Sequence, residues 1–177
     1  MCKRTILIAL ALVVAACKSP KAPGTPTKPP TELGDPTSET IGGISLGTTA
    51  ARVEAILGPA YEKGPAQEMA ATAETISTWR WNTGVTLTMS ETPPPLKVHS
   101  INIVAPSKLT TSRGVGIGTT RAEVERIYKA FLGTGRQPDE PDHTSPESLI
   151  IGSVYGGTFF SFADGKVTEI FVGAGAE

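Results

Sequence analysis

Thiols are almost absent from this chain of 177 residues: its two cysteines, Cys2 and Cys17, both stand within the first seventeen positions. From residue 18 onward nothing can form a disulfide, act as a cysteine nucleophile or offer a thiolate to a metal. Histidine is as scarce, with only His99 and His143. Lys and Arg number 16 against 17 Asp and Glu, a net charge of −1. With no basic cluster, that balance argues against nucleic acid as a partner. No apolar run reaches the roughly 20 residues that a membrane-spanning helix needs. No serine is read as sitting in a Gly-x-Ser-x-Gly elbow. No glycine-rich turn carries the lysine of a phosphate loop. The chain is therefore read as non-catalytic, with no cofactor and no metal.

What is present begins at the N-terminus. Lys3 and Arg4 precede a nearly all-apolar run from Thr5 to Ala16, the pattern of an export signal. It ends in Val14-Ala15-Ala16-Cys17, which resembles the lipobox of bacterial lipoproteins, with Val14 a mild departure from the usual leucine. The resemblance implies removal of residues 1–16 and acylation of Cys17, palmitate included. Two or more acyl chains hold stably in a bilayer where one is marginal. Losing Lys3 and Arg4 takes the net charge from −1 to −3. Lys18 follows in place of the aspartate that marks inner-membrane retention, which points to the outer membrane and a periplasm-facing body. Residues 17–40 hold six prolines and a single large aliphatic residue, Leu33. Such a segment buries too little to offset its ordering entropy and reads as a tether.

The rest divides into residues 41–106 and 107–177, because one pattern occurs twice. Gly47-Thr48-Thr49 and Val53 recur 71 residues on as Gly118-Thr119-Thr120 and Val124. In each copy a glycine turn leads to a threonine cap, Thr49 or Thr120, then a helix with one apolar face. Glu123, three residues after Thr120, completes a capping box that Arg52 denies the first copy. Alternating segments follow: Trp79 and Trp81, then Val85, Leu87 and Met89, then Ile101 and Ile103. In the second copy they are 149–155, 158–163 and 167–172, with Ala163-Asp164-Gly165-Lys166 as a hairpin signal. The expected fold class is α+β: two tandem helix plus three-stranded antiparallel meander units. Whether they share one sheet stays open.

The pattern of Gly-x-Thr, valine and Leu-Gly, followed by a meander, resembles the BamE/SmpA-type module. In tandem it is similar to the architecture of the β-lactamase inhibitory protein family. The first resemblance implies an outer-membrane lipoprotein that binds other envelope proteins, and the second a sheet that grips a hydrolase. Either way the implied function is protein binding or assembly scaffolding, with membrane contact through the N-terminal lipid.

Candidate contact residues are the strand aromatics Trp79, Trp81, Phe160 and Phe162, each pair sharing one strand face. They are either core or a binding platform, and exposure decides between the two. Loops 61–75 and 134–147 are the other candidate contact regions. His99 reads as an exposed strand residue. Asp139, Glu140, Asp142 and His143 match no standard metal spacing and read as a solvated acidic loop.

Overall fold

The computed structural model describes residues 39–70, 72–140 and 144–175, all within the compact unit Glu32–Glu177. Cys17 and residues 18–38 of the expected tether lie outside the described residues; Glu39 and Thr40, its last two, are described, and Glu39 is buried in the folded body. The elements are α1 (Ala50–Leu57), β1 (Glu62–Lys63), β2 (Gln67–Met69), β3 (Glu74–Trp81), β4 (Val85–Ser90) and β5 (Lys97–Val104). They continue with α2 (Arg121–Ile127), β6 (Ser148–Ser153), β7 (Gly156–Ala163) and β8 (Lys166–Gly173).

All eight strands belong to one antiparallel sheet of order β1-β3-β4-β5-β8-β7-β6, with β2 also paired to β3. This corrects the expected α+β arrangement of two helix-plus-meander units. The helices have only eight and seven residues, about 12 Å or less of rise, too little to cover a meander each. Strands β5 and β8 would both end a separate meander on an unpaired hydrogen-bonding edge. Pairing them, from Ile101 opposite Val172 to Val104 opposite Glu169, removes both edges. Residues 61–75, expected as a loop, supply β1 and β2 and begin β3.

The helices lie on one face of this sheet. The Trp81 indole N–H at the end of β3 donates to the Gly58 carbonyl at the end of α1, 3.1 Å away. The Tyr128 ring after α2 lies 5.2 Å from that of Phe160. Between them runs a single core, which includes Val53, Trp79, Leu87, Met89, Ile101, Ile103, Val124, Phe160, Ile170 and Val172. Alternation in the strands generates it: β4 buries Val85, Leu87 and Met89 and turns its threonines away. Bulges opposite Thr88–Met89 in one half, and opposite Ser161–Phe162 in the other, each insert one residue, His99 in β5 and Thr168 in β8. Val98 and Val167 thereby still face inward, beside Met89 and Phe162.

The β7–β8 hairpin closes as the sequence predicts. Asp164 and Gly165 take positive φ, 51° and 69°, between the paired residues Ala163 and Lys166. At the starts of the two helices, backbone bonds match one for one. Gly47 N–H donates to Val98 O at 2.7 Å and Gly118 N–H to Val167 O at 2.8 Å. Ala50 N–H donates to Leu96 O and Arg121 N–H to Gly165 O, at 3.0 and 2.9 Å. Each helix is thus hung from the last strand of its half of the sheet.

Candidate functional site: the uncovered sheet face

The cap residues come out differently from one another. Thr120 accepts a hydrogen bond from the Glu123 N–H at 3.4 Å, so the second helix is capped. Thr49 makes no side-chain cap. The hydroxyl that closes the first turn is that of Thr48, which accepts from Ser45 N–H at 3.0 Å. Thr119 accepts likewise from Gly116 N–H at 3.1 Å. Glu123 does not complete the expected box; its carboxylate lies 3.8 Å from the Arg126 guanidinium. The second helix does extend further, through a 3₁₀ turn at Lys129–Phe131.

Trp79, Trp81, Phe160 and Phe162 are core residues, not a platform. Their exposures are 3%, 5%, 0% and 6%. The cause is strand phase: all four point to the helix side. Tyr61 stacks on Trp79 with ring centroids 4.2 Å apart, and Arg121 lies over Phe162 at 5.0 Å. Burial, then the 2.8 Å hydrogen bond to Glu54, push the Tyr61 phenol above its ordinary range.

The opposite phase carries the surface that sequence reasoning missed. Register places Glu62, Arg80, Thr86, Asn102, Phe171, Phe159 and Ile150 in one row across the sheet. None of them is buried. The row is centred on the β5–β8 pairing, where Asn102 stands opposite Phe171. Thr86 pairs with Asn102 as Phe159 pairs with Phe171; Arg80 pairs with Thr86 as Ile150 pairs with Phe159. Matching positions therefore carry opposite chemistry: arginine against isoleucine, threonine against phenylalanine, asparagine against phenylalanine. On the covered face, matching positions such as Leu87 and Phe160, or Ile101 and Ile170, are both apolar.

The centre of the row is ordered. The Asn102 amide donates to Glu169 at 2.7 Å, and the Ser161 hydroxyl bonds the other Glu169 oxygen at 3.3 Å. Phe159 and Phe171 meet edge to face at 5.5 Å, a favoured aromatic geometry. Both rings lean over glycine: a Cβ on Gly173 would lie 3.0 Å from the Phe171 ring, and one on Gly175 would lie 2.7 Å from Phe159.

Other titratable groups are committed to structure. Glu39 is 4% exposed. It accepts from Tyr128 Oη at 2.8 Å and from the Ser112 N–H at 2.9 Å, and the Ser112 hydroxyl also donates to it. The Arg113 Nε stands 3.4 Å away. Burial, ahead of the charge of Glu39, pushes the Tyr128 phenol above its ordinary range. Glu140 accepts from Ser153 Oγ and Val154 N–H at 2.6 and 2.7 Å, which pins the 134–140 segment to the end of β6. His99 Nδ1 lies 3.6 Å from Glu74. Asp142 and His143 are outside the described residues, and among those described no three His, Cys, Asp or Glu gather as a metal site.

Gly43-Ile44-Ser45-Leu46-Gly47 does have Gly-x-Ser-x-Gly spacing, which corrects the expectation that no serine stands in one. The Ser45 hydroxyl pairs with that of Thr48 at 3.2 Å, and among the described residues no histidine, carboxylate or lysine is bonded to it. Among the described residues no helix is long and apolar enough to cross a membrane. No family model matches the chain, and no curated protein or solved structure matches it.

Proposed function

We propose that this is a lipid-anchored, periplasm-facing protein of the bacterial envelope that binds or scaffolds another envelope protein and performs no chemistry itself. The lipobox-like Val14-Ala15-Ala16-Cys17 and the proline-rich segment after it support the anchor. The observation that carries the binding role is the uncovered sheet face, where ordered polar residues lead into an apolar edge of Phe171, Phe159 and Ile150. A half-polar, half-aromatic surface on a rigid sheet suits a protein partner. The resemblance to envelope-assembly modules points the same way.

Two experiments test the two parts. Cys17→Ser should move the protein from the membrane to the soluble fraction; unchanged fractionation would sink the anchor. Crosslinking capture from native envelope should recover a specific protein with the parent chain and lose it with Phe171→Ser and Phe159→Ser. Capture that survives both changes removes this face as the binding surface. A second reading, inhibition of a hydrolase, draws on the Phe159–Phe171 pair. It predicts dose-dependent inhibition of a β-lactamase by the purified protein, and no inhibition rejects it.

A further inference from the structure

On the open face of the sheet one carboxylate stands without a countercharge. Glu169 in β8 is half-buried and shares the outward phase of Phe171, two residues on. In register, Ser161 stands opposite Glu169 and Phe159 opposite Phe171. Two neutral donors hold the carboxylate: the Asn102 amide on one oxygen at 2.7 Å and the Ser161 hydroxyl on the other at 3.3 Å. Among the described residues no cation pairs with it. The Asn102 carbonyl oxygen, shielded from solvent, has no donor either. Arg80 lies three strands away. Acceptors therefore exceed donors beside the Phe159–Phe171 pair, and the field there is negative.

We infer that Glu169 receives an arginine side chain of the partner protein, while an apolar neighbour of that arginine rests on Phe159 and Phe171. The inference rests on the partner-binding role of the open face and names the chemistry that the face recognises.

Proximity makes a cation necessary. Residues two apart on a strand are separated by about 7 Å, so a partner that covers Phe171 also covers Glu169. A purely apolar partner would bury the carboxylate uncompensated, and an acidic one would add like charge; both are strongly disfavoured. Geometry then selects arginine over lysine. A carboxylate offers about four lone-pair sites over its two oxygens, and each oxygen here has one hydrogen bond. Each keeps a site for one of the two parallel N–H groups of a guanidinium fork, which a lysine ammonium does not present. Guanidinium is also the more weakly hydrated cation and rests well against aromatic rings. The rings leave room for it. Phe171 tips toward Gly173 and Phe159 toward Gly175, both away from the Glu169–Ser161 pair. The two hydrogen bonds to Glu169 fix its rotamer beforehand, so little side-chain freedom is lost on docking.

The test is an amide NMR titration of the full chain in mild detergent with N-acetyl-leucyl-arginyl-leucine amide. The expected result is saturable shifts at Glu169, Phe171, Phe159 and the Asn102 side-chain amide, with a Kd on the order of 1 mM. Glu169→Gln, which keeps the size of the side chain, should weaken binding by about tenfold or more, the loss expected for hydrogen bonds to a charged group. The same peptide with lysine should bind more weakly, and with glutamine should give no saturable shift. No saturation with the arginine peptide, equal binding of the glutamine peptide, or undiminished affinity in Glu169→Gln would each overturn the inference. An unchanged spectrum away from the site confirms that the variant folds. Capture from native envelope separates this inference from the reading beneath it. Capture lost with Phe171→Ser and Phe159→Ser but kept with Glu169→Gln overturns the arginine anchor and leaves the face as the binding surface. Capture that survives all three changes removes both.

Discussion

Glu39→Ala is the most informative single change to the fold. Glu39 stands at the first described position, on a side chain only 3% exposed, and its carboxylate ties three parts of the chain together. It accepts from Thr40 N–H at 3.1 Å and Ser112 N–H at 2.9 Å, on the turn before Val115, and from Tyr128 Oη at 2.8 Å, after α2. Alanine strips the Tyr128 hydroxyl, on a side chain 1% exposed, of its carboxylate acceptor and leaves it the Thr111 hydroxyl as side-chain partner. A hydrogen bond to a charged group contributes about 1.5–3 kcal/mol, and breaking a buried charged pair costs about 3–5 kcal/mol. Arg113 moderates the loss. Its guanidinium is one-third exposed and rests on the Phe131 ring at 4.3 Å, so it stays partly hydrated when Glu39 is gone. The expected destabilisation is therefore about 3 kcal/mol, read as a lower urea midpoint at constant slope. Tyr128→Phe in the Glu39→Ala background has no Glu39 hydrogen bond left to lose, so the double variant should be more stable than the sum of the single losses by about 1 kcal/mol or more. A Glu39→Ala loss under about 1 kcal/mol, or strictly additive changes, would refute the clamp.

Two glycines with the same backbone angle separate strain from collision. Gly43 and Gly84 both have φ of 82°, but a Cβ on Gly43 meets open space and one on Gly84 lies 2.3 Å from the Val104 carbonyl oxygen. Gly43→Ala should lose about 1–2 kcal/mol from conformation alone, and Gly84→Ala a further 1–3 kcal/mol or so from overpacking, by chemical denaturation. At low pH the Lys63–Glu91 pair, 2.7 Å apart, is the group to watch. The hydrogen bond from Lys63, then that from Ser77, holds the Glu91 carboxyl below its ordinary 4.5. Its stabilisation is present above that value and is lost as pH falls through the lowered one. Lys63 is nearly half exposed, so Lys63→Met should flatten the acid limb by less than about 1 kcal/mol. At high pH the raised Tyr128 phenol acts in the opposite sense. Its contribution is intact below the unfolded value of 10.0 and is lost as pH rises beyond it. Stability measured from pH 9 upward should fall less steeply in Tyr128→Phe, and an unchanged slope would contradict the buried neutral phenol.

Strand phase was legible in the sequence; its consequence was not. Val85, Leu87 and Met89 alternate with threonine, and that period placed them in the core correctly. Trp79, Trp81, Phe160 and Phe162 share that phase, and their size drew attention to the buried face. In Thr158-Phe159-Phe160-Ser161-Phe162 only one phase can face the helices, and Phe159 is the aromatic out of step. Its counterpart Phe171 is out of step with Ile170 and Val172 in the same way. Two such residues on adjacent strands were the available signal, but adjacency needed the register. Strands β1 and β2 left no signal at all. They have two and three residues, with no apolar alternation, and they form because the outer edge of β3 offers them backbone partners. Likewise the adjacent threonines at each helix start cannot be ranked by type. Geometry gives the turn to Thr48 and Thr119 and the cap to Thr120 alone.

Comparing the two halves of the sheet turns this missed phase into an argument about use. Inward positions on both sides of the β5–β8 pairing must fill one core, so both stay apolar whatever the protein does. Outward positions carry no such demand, and either chemistry would leave the fold intact. They nonetheless differ in a directional way. Arg80, Thr86 and Asn102 occupy one side, and Phe171, Phe159 and Ile150 the other, in matching register. A uniformly polar face would suffice for solubility, so the apolar side needs another cause. A face that is polar at one end and apolar at the other admits a partner in one orientation only. Exchanging the two ends, with Arg80→Ile and Ile150→Arg in one chain, preserves composition and the core. It should abolish capture of the partner while leaving the urea midpoint nearly unchanged. Retained capture would mean that the direction of the face carries no recognition.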